Sequence, residues 1–409
     1  MARIIVIGGS LGGLLVANQL LLAGHDVQVL EKVSQSLDGR GAGIVTHRPL
    51  IAALKRCGVN VDSTLGVQVE SRVVLGQDGN ELATASVPQV LTSWSRLYTM
   101  LLSVFDKHLY IRSAGVSYVS QDARSASVHC DDGRTFEADL VLACDGIRST
   151  VRAQVLPDVQ MQYAGYVAWR GLCDEQVLSH YTQSSVFNKF GFGLPQGEQI
   201  IGYPVAGHEN STATGQRRYN YVWYRPANHH QLKVLMTDSD GLYHPLGVPP
   251  NKVAWRHIAA ARQAGREKLA PQFAEMLEKT AQPFLQPIYD VESNQLAFGR
   301  IGLMGDAAFV ARPHVGMGVT KAAQDAMSLV DSVAKYGANP QALHAFESLR
   351  LGPGIATVRR ARLLGAYMQA QAGDSEHAAN FLRDANSVML ETAIDLSLST
   401  PASLAQFSH

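Results

Sequence analysis

RIIVIGGSLGGLLVANQLLLAGHDVQVLEK, residues 3–32, is the stretch on which the fold turns. Arg3 to Ile7 is a short β-branched run, and Leu11, Leu14, Leu15, Asn18 and Leu22 then recur at helical spacing. Gly24 supplies a helix stop, and Asp26 to Leu30 is a second apolar strand. Strand, glycine turn, helix and strand make a βαβ unit, which implies a parallel sheet and an α/β protein. In the turn VIGGSLGG, residues 6–13, Gly8 and Gly13 hold the outer positions of a GxGxxG pattern, Ser10 takes the middle one, and Leu11 opens the helix. Such a turn lets backbone approach a pyrophosphate at a helix N-terminus. Glu31 closes the second strand about 20 residues on, where an acid can bind a ribose hydroxyl pair, with Lys32 beside it. The stretch predicts a dinucleotide site without choosing the dinucleotide.

Residues 4–23 carry no charge over a length that could span a bilayer. Glycines interrupt the run, and neither a basic start nor a small-residue cleavage site is clear, so a membrane or signal segment is not expected. Lys plus Arg and Asp plus Glu number 35 each, which argues against a general nucleic-acid binder. Cys57, Cys130, Cys144 and Cys173 show no CxxC spacing, so we expect no disulfide framework, no metal site and a reducing cytoplasm. His229-His230 looks like a metal pair, but adjacent residues on a strand face opposite sides, and we read it as surface.

At 409 residues the chain suggests two closely joined domains. Residues 67–90 and 125–143 alternate as antiparallel strands, the second around a DDG turn, and 160–235 holds aromatic strand-like pieces. From Val319 to Val333 an apolar helical stripe returns, and 341–372 continues as helix. The predicted architecture is a Rossmann-like domain over 1–72, 95–160 and 290–335, an interleaved β-sheet substrate domain over 73–94 and 161–289, and a C-terminal helical segment over 336–409.

Two further motifs narrow the dinucleotide. EADLVLACDGIRSTVR, 137–152, ends a strand in Asp145-Gly146; GRIGLMGDAAFVARPHVGMGVTKAAQDA, 299–326, runs through Asp306 and Pro313 to Gly316 and Gly318, which open a long helix. In this order after an N-terminal βαβ, they resemble the para-hydroxybenzoate hydroxylase-like, or class A, flavin monooxygenases, over about residues 3–370. The stretches GAGIV (41–45), YAGYVAWRG (163–171), FNKFGFG (187–193), YPVAGHEN (203–210) and ARPH (311–314) resemble the branch of that family that hydroxylates dihydroxypyridines; Thr46, His47, Arg48 and the GMG turn at 316–318 depart from it.

The resemblance implies non-covalent FAD, with the first motif on its ADP part, Asp145 in the FAD and NAD(P)H signature, and Asp306 on the ribityl chain. It implies Arg96, and less directly Arg40, at the FAD phosphates, and Gly43 and Ile44 near the flavin. A helix opening at Gly318, with Gly316 and Val319 around its first turn, would aim free N–H groups and a positive dipole end at the flavin ring. The implied reaction takes NADH or NADPH and O2 and hydroxylates a small electron-rich aromatic or heteroaromatic ring through a flavin hydroperoxide. Such a ring needs a proton removed from its hydroxyl; His314 and His47 are the candidate bases, with Tyr203 a third. Tyr203, Trp223, Asn188 and Pro313 are candidate substrate contacts. A homodimer is left open. The alternatives are a same-fold epoxidase or lipid reductase, and a flavin-binding sensor.

Overall fold

The computed structural model describes residues 1–35, 37, 43–368 and 384–394. Arg3–Ile7 forms the first strand, Leu11–Leu22 the helix and Asp26–Leu30 the second strand. Residues 4–23 are therefore interrupted by the turn, and among the described residues no helix is long and apolar enough to cross a membrane. Their six-stranded sheet runs Ala297–Phe298, Ile301–Leu303, Leu140–Ala143, Arg3–Ile7, Asp26–Leu30, Tyr110–Ile111, parallel except at the Ala297–Phe298 edge. The apolar, doubly covered strands VLA and IVI are what a parallel sheet buried on both faces requires. The helix Gly318–Tyr336 packs on Leu11–Leu22, and a Cβ on Gly12 would lie 3.6 Å from the Ala322 Cβ, so the glycine sets how closely the two helices approach.

A nine-stranded mixed sheet stands beside it, in the order Phe309–Val310, Phe284–Glu292, Gln162–Asp174, Arg218–Pro226, Gln199–Val205, Lys189–Gly193, Val67–Leu75, Glu81–Ser93, Gly43–Val45. The strand Val67–Leu75 runs unbroken across residue 72, and Gly43–Val45 pairs with Glu81–Ser93, so segments before residue 73 belong to the second sheet. Period-2 alternation sorts this sheet into two cores. Val167, Trp169, Tyr221 and Trp223 pack with Ile258, Phe273 and Met276 of the helices Trp255–Lys268 and Pro271–Lys279. Tyr166, Ala168, Ile201, Tyr203, Val222 and Tyr224 face the other way. His229 and His230 are exposed as expected, but they open the helix Asn228 caps rather than lying on a strand.

The long helix Pro340–Gly365 follows, and Asp384–Ile394 returns to the second sheet, with the helix Ala385–Glu391 against Val67–Leu75 and Glu81–Ser93. Arg72, fully buried, holds that return: its guanidinium donates to the carbonyls of Met389 at 2.7 Å, Thr392 at 2.6 Å and Ala393 at 3.0 Å.

Candidate active site

The glycine turn is shaped first by the protein's own backbone. Gly8 has φ +100°, and a Cβ there would meet the Cys144 carbonyl oxygen at 2.4 Å; a Cβ on Gly13 would stand 1.9 Å from the Gly8 carbonyl oxygen. These two glycines are therefore required before any ligand arrives, a stricter reason than pyrophosphate approach. Gly9 N–H donates to Glu31 Oε2 at 2.9 Å and Val33 N–H to Oε1 at 2.9 Å, so Glu31 clamps the turn while each oxygen keeps a lone pair. Ser10 sits at the N-cap of Leu11–Leu22 without a side-chain cap bond, leaving its hydroxyl and the first helical amides to serve an anion. Lys32 is exposed beside Glu31. Arg96 is turned toward Thr64, donating to its carbonyl at 3.1 Å and to its hydroxyl. Arg40 lies outside the described residues.

The second and third motifs meet through Arg152, which donates to the carbonyls of Ala307 at 2.8 Å and Ile147 at 2.5 Å. Asp145 is enclosed, its Oδ1 has no hydrogen-bond partner, and burial pushes its carboxyl above the ordinary range. Asp306 is exposed where it opens onto the central cavity. Desolvation raises its carboxyl, with Lys321 opposing and Asp325 adding to the rise. The helix Gly318–Tyr336 begins with no side-chain cap, and a Cβ on Gly318 would meet nothing within 4 Å. Its first amides and positive end thus face open space. An unpartnered aspartate oxygen, a free helix end, an uncapped serine and a clamped glycine turn together fit FAD.

The cavity holds about 380 Å³ and lies between this helix start and the second sheet. Gly43, Ile44, Tyr203, Asp306, Pro313, Gly316, Gly318 and Val319 all line it. Gly43 is needed because a Cβ there would meet the Tyr203 ring at 2.4 Å. Four expectations fail on geometry. Trp223 points into the opposite core, since neighbours on a strand alternate and it is Val222 and Tyr224 that reach the cavity. Asn188 is exposed, outside the lining, before the strand Lys189–Gly193. His314 is fully buried behind the wall, with Nε2 2.9 Å from the Tyr166 hydroxyl and its ring 4.2 Å from that of Tyr224. His47 is buried as well, with Nδ1 3.0 Å from Thr320 Oγ1 and Nε2 3.4 Å from the Ala393 carbonyl. Both histidines brace the loops around the cavity, and no histidine lines it among the described residues.

The sequence reading passed over Arg170, Tyr224, Gln286 and Ala393, which do line it. Arg170 lies within YAGYVAWRG, two and four residues from Ala168 and Tyr166 and hence on their face, so strand parity alone would have pointed to it. Burial pushes the Tyr203 and Tyr224 hydroxyls well above their ordinary range, and the Arg170 cation nearby works against that rise.

The FAD binding domain-like family matches residues 163–290. The 2,6-dihydroxypyridine 3-monooxygenase of Paenarthrobacter nicotinovorans is 31% identical over 368 residues, covering 90% of this chain and 91% of the relative. The 6-hydroxynicotinate 3-monooxygenase of Pseudomonas fluorescens is 24% identical, covering 82% and 84%. The solved 2,6-dihydroxypyridine-3-hydroxylase from Arthrobacter nicotinovorans superposes with TM-score 0.86 at 29% identity, covering 95% of this chain and 96% of that one. Klebsiella pneumoniae HpxO, solved with FAD and uric acid, superposes with TM-score 0.75 at 22% identity, covering 92% and 90%, a likeness of fold.

Proposed function

We propose, starting from the premise that this chain belongs to the FAD-dependent aromatic monooxygenases, that its substrate is a small hydroxylated N-heteroaromatic ring of the hydroxypyridine kind. The enzyme uses FAD, NAD(P)H and O2. The observation that carries the substrate reading is the 380 Å³ cavity, which sets Asp306 and the free start of the Gly318 helix opposite Tyr203 and Tyr224. That space suits one or two fused rings, and flat apolar walls with few polar groups suit stacking.

In this reading Gly8, Ser10, Leu11, Gly13, Glu31, Asp145 and Asp306 hold the cofactor. The amides of Gly316, Gly318 and Val319 favour negative charge at the edge of its ring. Bound FAD supplies the oxygen-activating chemistry. Tyr203 and Tyr224 hold the substrate ring, and Pro313 closes one side. The Asp306 carboxyl, raised by desolvation, would gain a partner when the ribityl hydroxyls arrive. Four free, buried cysteines support a reducing cytoplasm as the setting.

The test is a panel of hydroxypyridines and hydroxybenzoates scored for ring-stimulated NAD(P)H oxidation and for hydroxylated product by mass. Stimulation with product from a hydroxypyridine is the expected result. Turnover confined to hydroxybenzoates or to long-chain lipids would overturn the substrate class.

A further inference from the structure

Among the described residues the cavity lining holds one cation without a carboxylate partner. Arg170 lines the cavity from the strand Gln162–Asp174, on the same face as the buried Tyr166 and Ala168. Its Nη1 donates to Gln286 Oε1 at 2.7 Å, its Nε has no hydrogen-bond partner, and no carboxylate pairs with it among the described residues. Arg312, the other guanidinium on the wall, is neutralised by Asp290, which its Nη2 meets at 2.9 Å. Gln286 spends its oxygen on Arg170, so its Nε2 protons remain to be given. Side by side, the two residues therefore present mainly donors, with one lone pair left on Gln286 Oε1. The Tyr224 hydroxyl, buried without a partner, adds a third polar group. Among the described residues the one acid on the cavity lining is Asp306, in the Gly305–Ala307 turn next to the helix start.

A half-buried guanidinium with a single amide partner is costly unless a ligand completes it, and the ligand that does so is an anion. We propose that Arg170, with Gln286, binds the substrate as its ring oxyanion, so that the ring is activated by holding its ionised hydroxyl rather than by a histidine base. The inference rests on the aromatic reading above and deepens it. It accounts for a cavity without histidine. It also makes an adjacent ring nitrogen useful: an O–C–N edge offers two acceptor atoms to two donors, where a phenol offers one. The charge that Arg170 stabilises is the charge that raises electron density on the neighbouring ring carbon. Of the other titratable groups on the wall, Arg312 stays paired with Asp290, Tyr203, Tyr224 and Tyr289 are raised by burial and stay protonated, and Asp306, its carboxyl raised by desolvation, stands beside the helix start.

The experiment is calorimetric titration of FAD-loaded wild type, Arg170→Lys and Arg170→Met with the ring that wild type hydroxylates best, and with its methyl ether, from one pH unit below to one above the free ring's own pKa. Wild type should bind the ionisable ring about 10- to 100-fold tighter than the ether, as a charge-assisted bond in a closed site implies. That preference should grow as pH rises through the ring pKa, because the bound form is the anion. Arg170→Met should bind both alike with no pH trend, and Arg170→Lys should keep part of the preference. Gln286→Met should weaken hydroxypyridines more than hydroxybenzoates. An Arg170→Met protein with normal FAD content and melting temperature that keeps the wild-type preference and pH trend would overturn the inference while leaving the aromatic reading intact. A wild type that hydroxylates no ring in the panel would overturn both.

Discussion

Replacing Arg72 by methionine should release the C-terminal segment from the cavity wall. The side chain is fully buried, and its N–H groups are all used: Nε and Nη2 on Gln89 Oε1 at 3.1 and 2.6 Å, Nη1 on the Met389 and Thr392 carbonyls, and Nη2 on the Ala393 carbonyl. Its face lies 5.1 Å from the Phe190 centroid, and burial lowers its pKa to about 10. In Arg72→Met the apolar stem is kept, but the Met389 and Thr392 carbonyls lose the guanidinium that meets them, while Ala393 keeps Gln89 at 3.3 Å and His47. Two buried carbonyls left unmet cost roughly 2–6 kcal/mol together. Relief from burying a cation offsets part of this, leaving a net loss of about 3 kcal/mol for the seated segment. That is about a 100-fold shift toward the released state. Hydrogen exchange on the holoenzyme reads it directly, because the Thr392 amide bonds Val388 and the Ala393 amide bonds the His314 carbonyl at 2.9 Å. Both amides should exchange about 100-fold faster, with residues 3–30 unchanged. Since Ala393 lines the cavity, more NAD(P)H should also be lost to hydrogen peroxide per product formed. Unchanged protection at Thr392 and Ala393 in folded, FAD-loaded Arg72→Met would refute the reasoning.

Asp306→Asn should stabilise the apoprotein near pH 7 and weaken FAD binding. Its folded-state pKa is raised, so the stability it contributes is present below the ordinary carboxylate value and lost as pH rises through the folded one. The melting-temperature gain should shrink toward pH 4, and a gain that grew on acidification would contradict the burial argument. Ser10→Ala should leave apoprotein stability unchanged, since no cap bond is lost, and should raise the FAD dissociation constant; Gly13→Ala should fail to fold stably, because its Cβ would overlap the Gly8 carbonyl. His314→Ala should cost about 2–4 kcal/mol in denaturant by emptying a packed site and removing one of the Tyr166 hydroxyl's partners, yet shift substrate affinity little. A stable His314→Ala without turnover would return this histidine to the chemistry.

The nucleotide half of the molecule was legible because its determinants are local. A βαβ unit writes its periods and its glycines into 30 consecutive residues, and Gly8, Gly13 and Glu31 act on neighbours within that stretch or one strand away. The substrate wall is written differently. Whether Trp223 or Tyr224 faces the cavity depends on strand parity relative to the other sheet face, which composition does not reveal. His314 and His47 drew notice for their chemistry and their nearness in sequence to flavin-binding loops, but nearness along a chain does not set side-chain direction. The Arg72 anchor joins residues 317 to 321 apart in sequence, and no local pattern announces it.

The positions of the positive groups suggest why the cavity needs more than one of them. A hydroxylase of this family must accommodate negative charge twice, once at the edge of the cofactor ring and once on the substrate ring. A single cation serving both would let one anion bind at the other's expense. In the reading above the two duties fall on different elements, a helix start and a strand, and on different kinds of group. The helix start at Gly318 offers roughly half a unit of positive charge through fixed amides, while Arg170 offers a whole charge from the strand Gln162–Asp174. Arg312 stands on the same wall but is held back by Asp290, which Arg362 also reaches at 3.2 Å, so it adds structure without adding much field. Asp306, the one acid on the lining among the described residues, stands in the Gly305–Ala307 turn beside the helix start. A substrate anion entering this cavity is therefore drawn toward Arg170 and away from Asp306, with its ring against the wall that carries Tyr203 and Tyr224. Reversing the substrate-side charge with Arg170→Glu should accordingly abolish binding of the ionised ring while the FAD content, set at the other end, stays at the wild-type level.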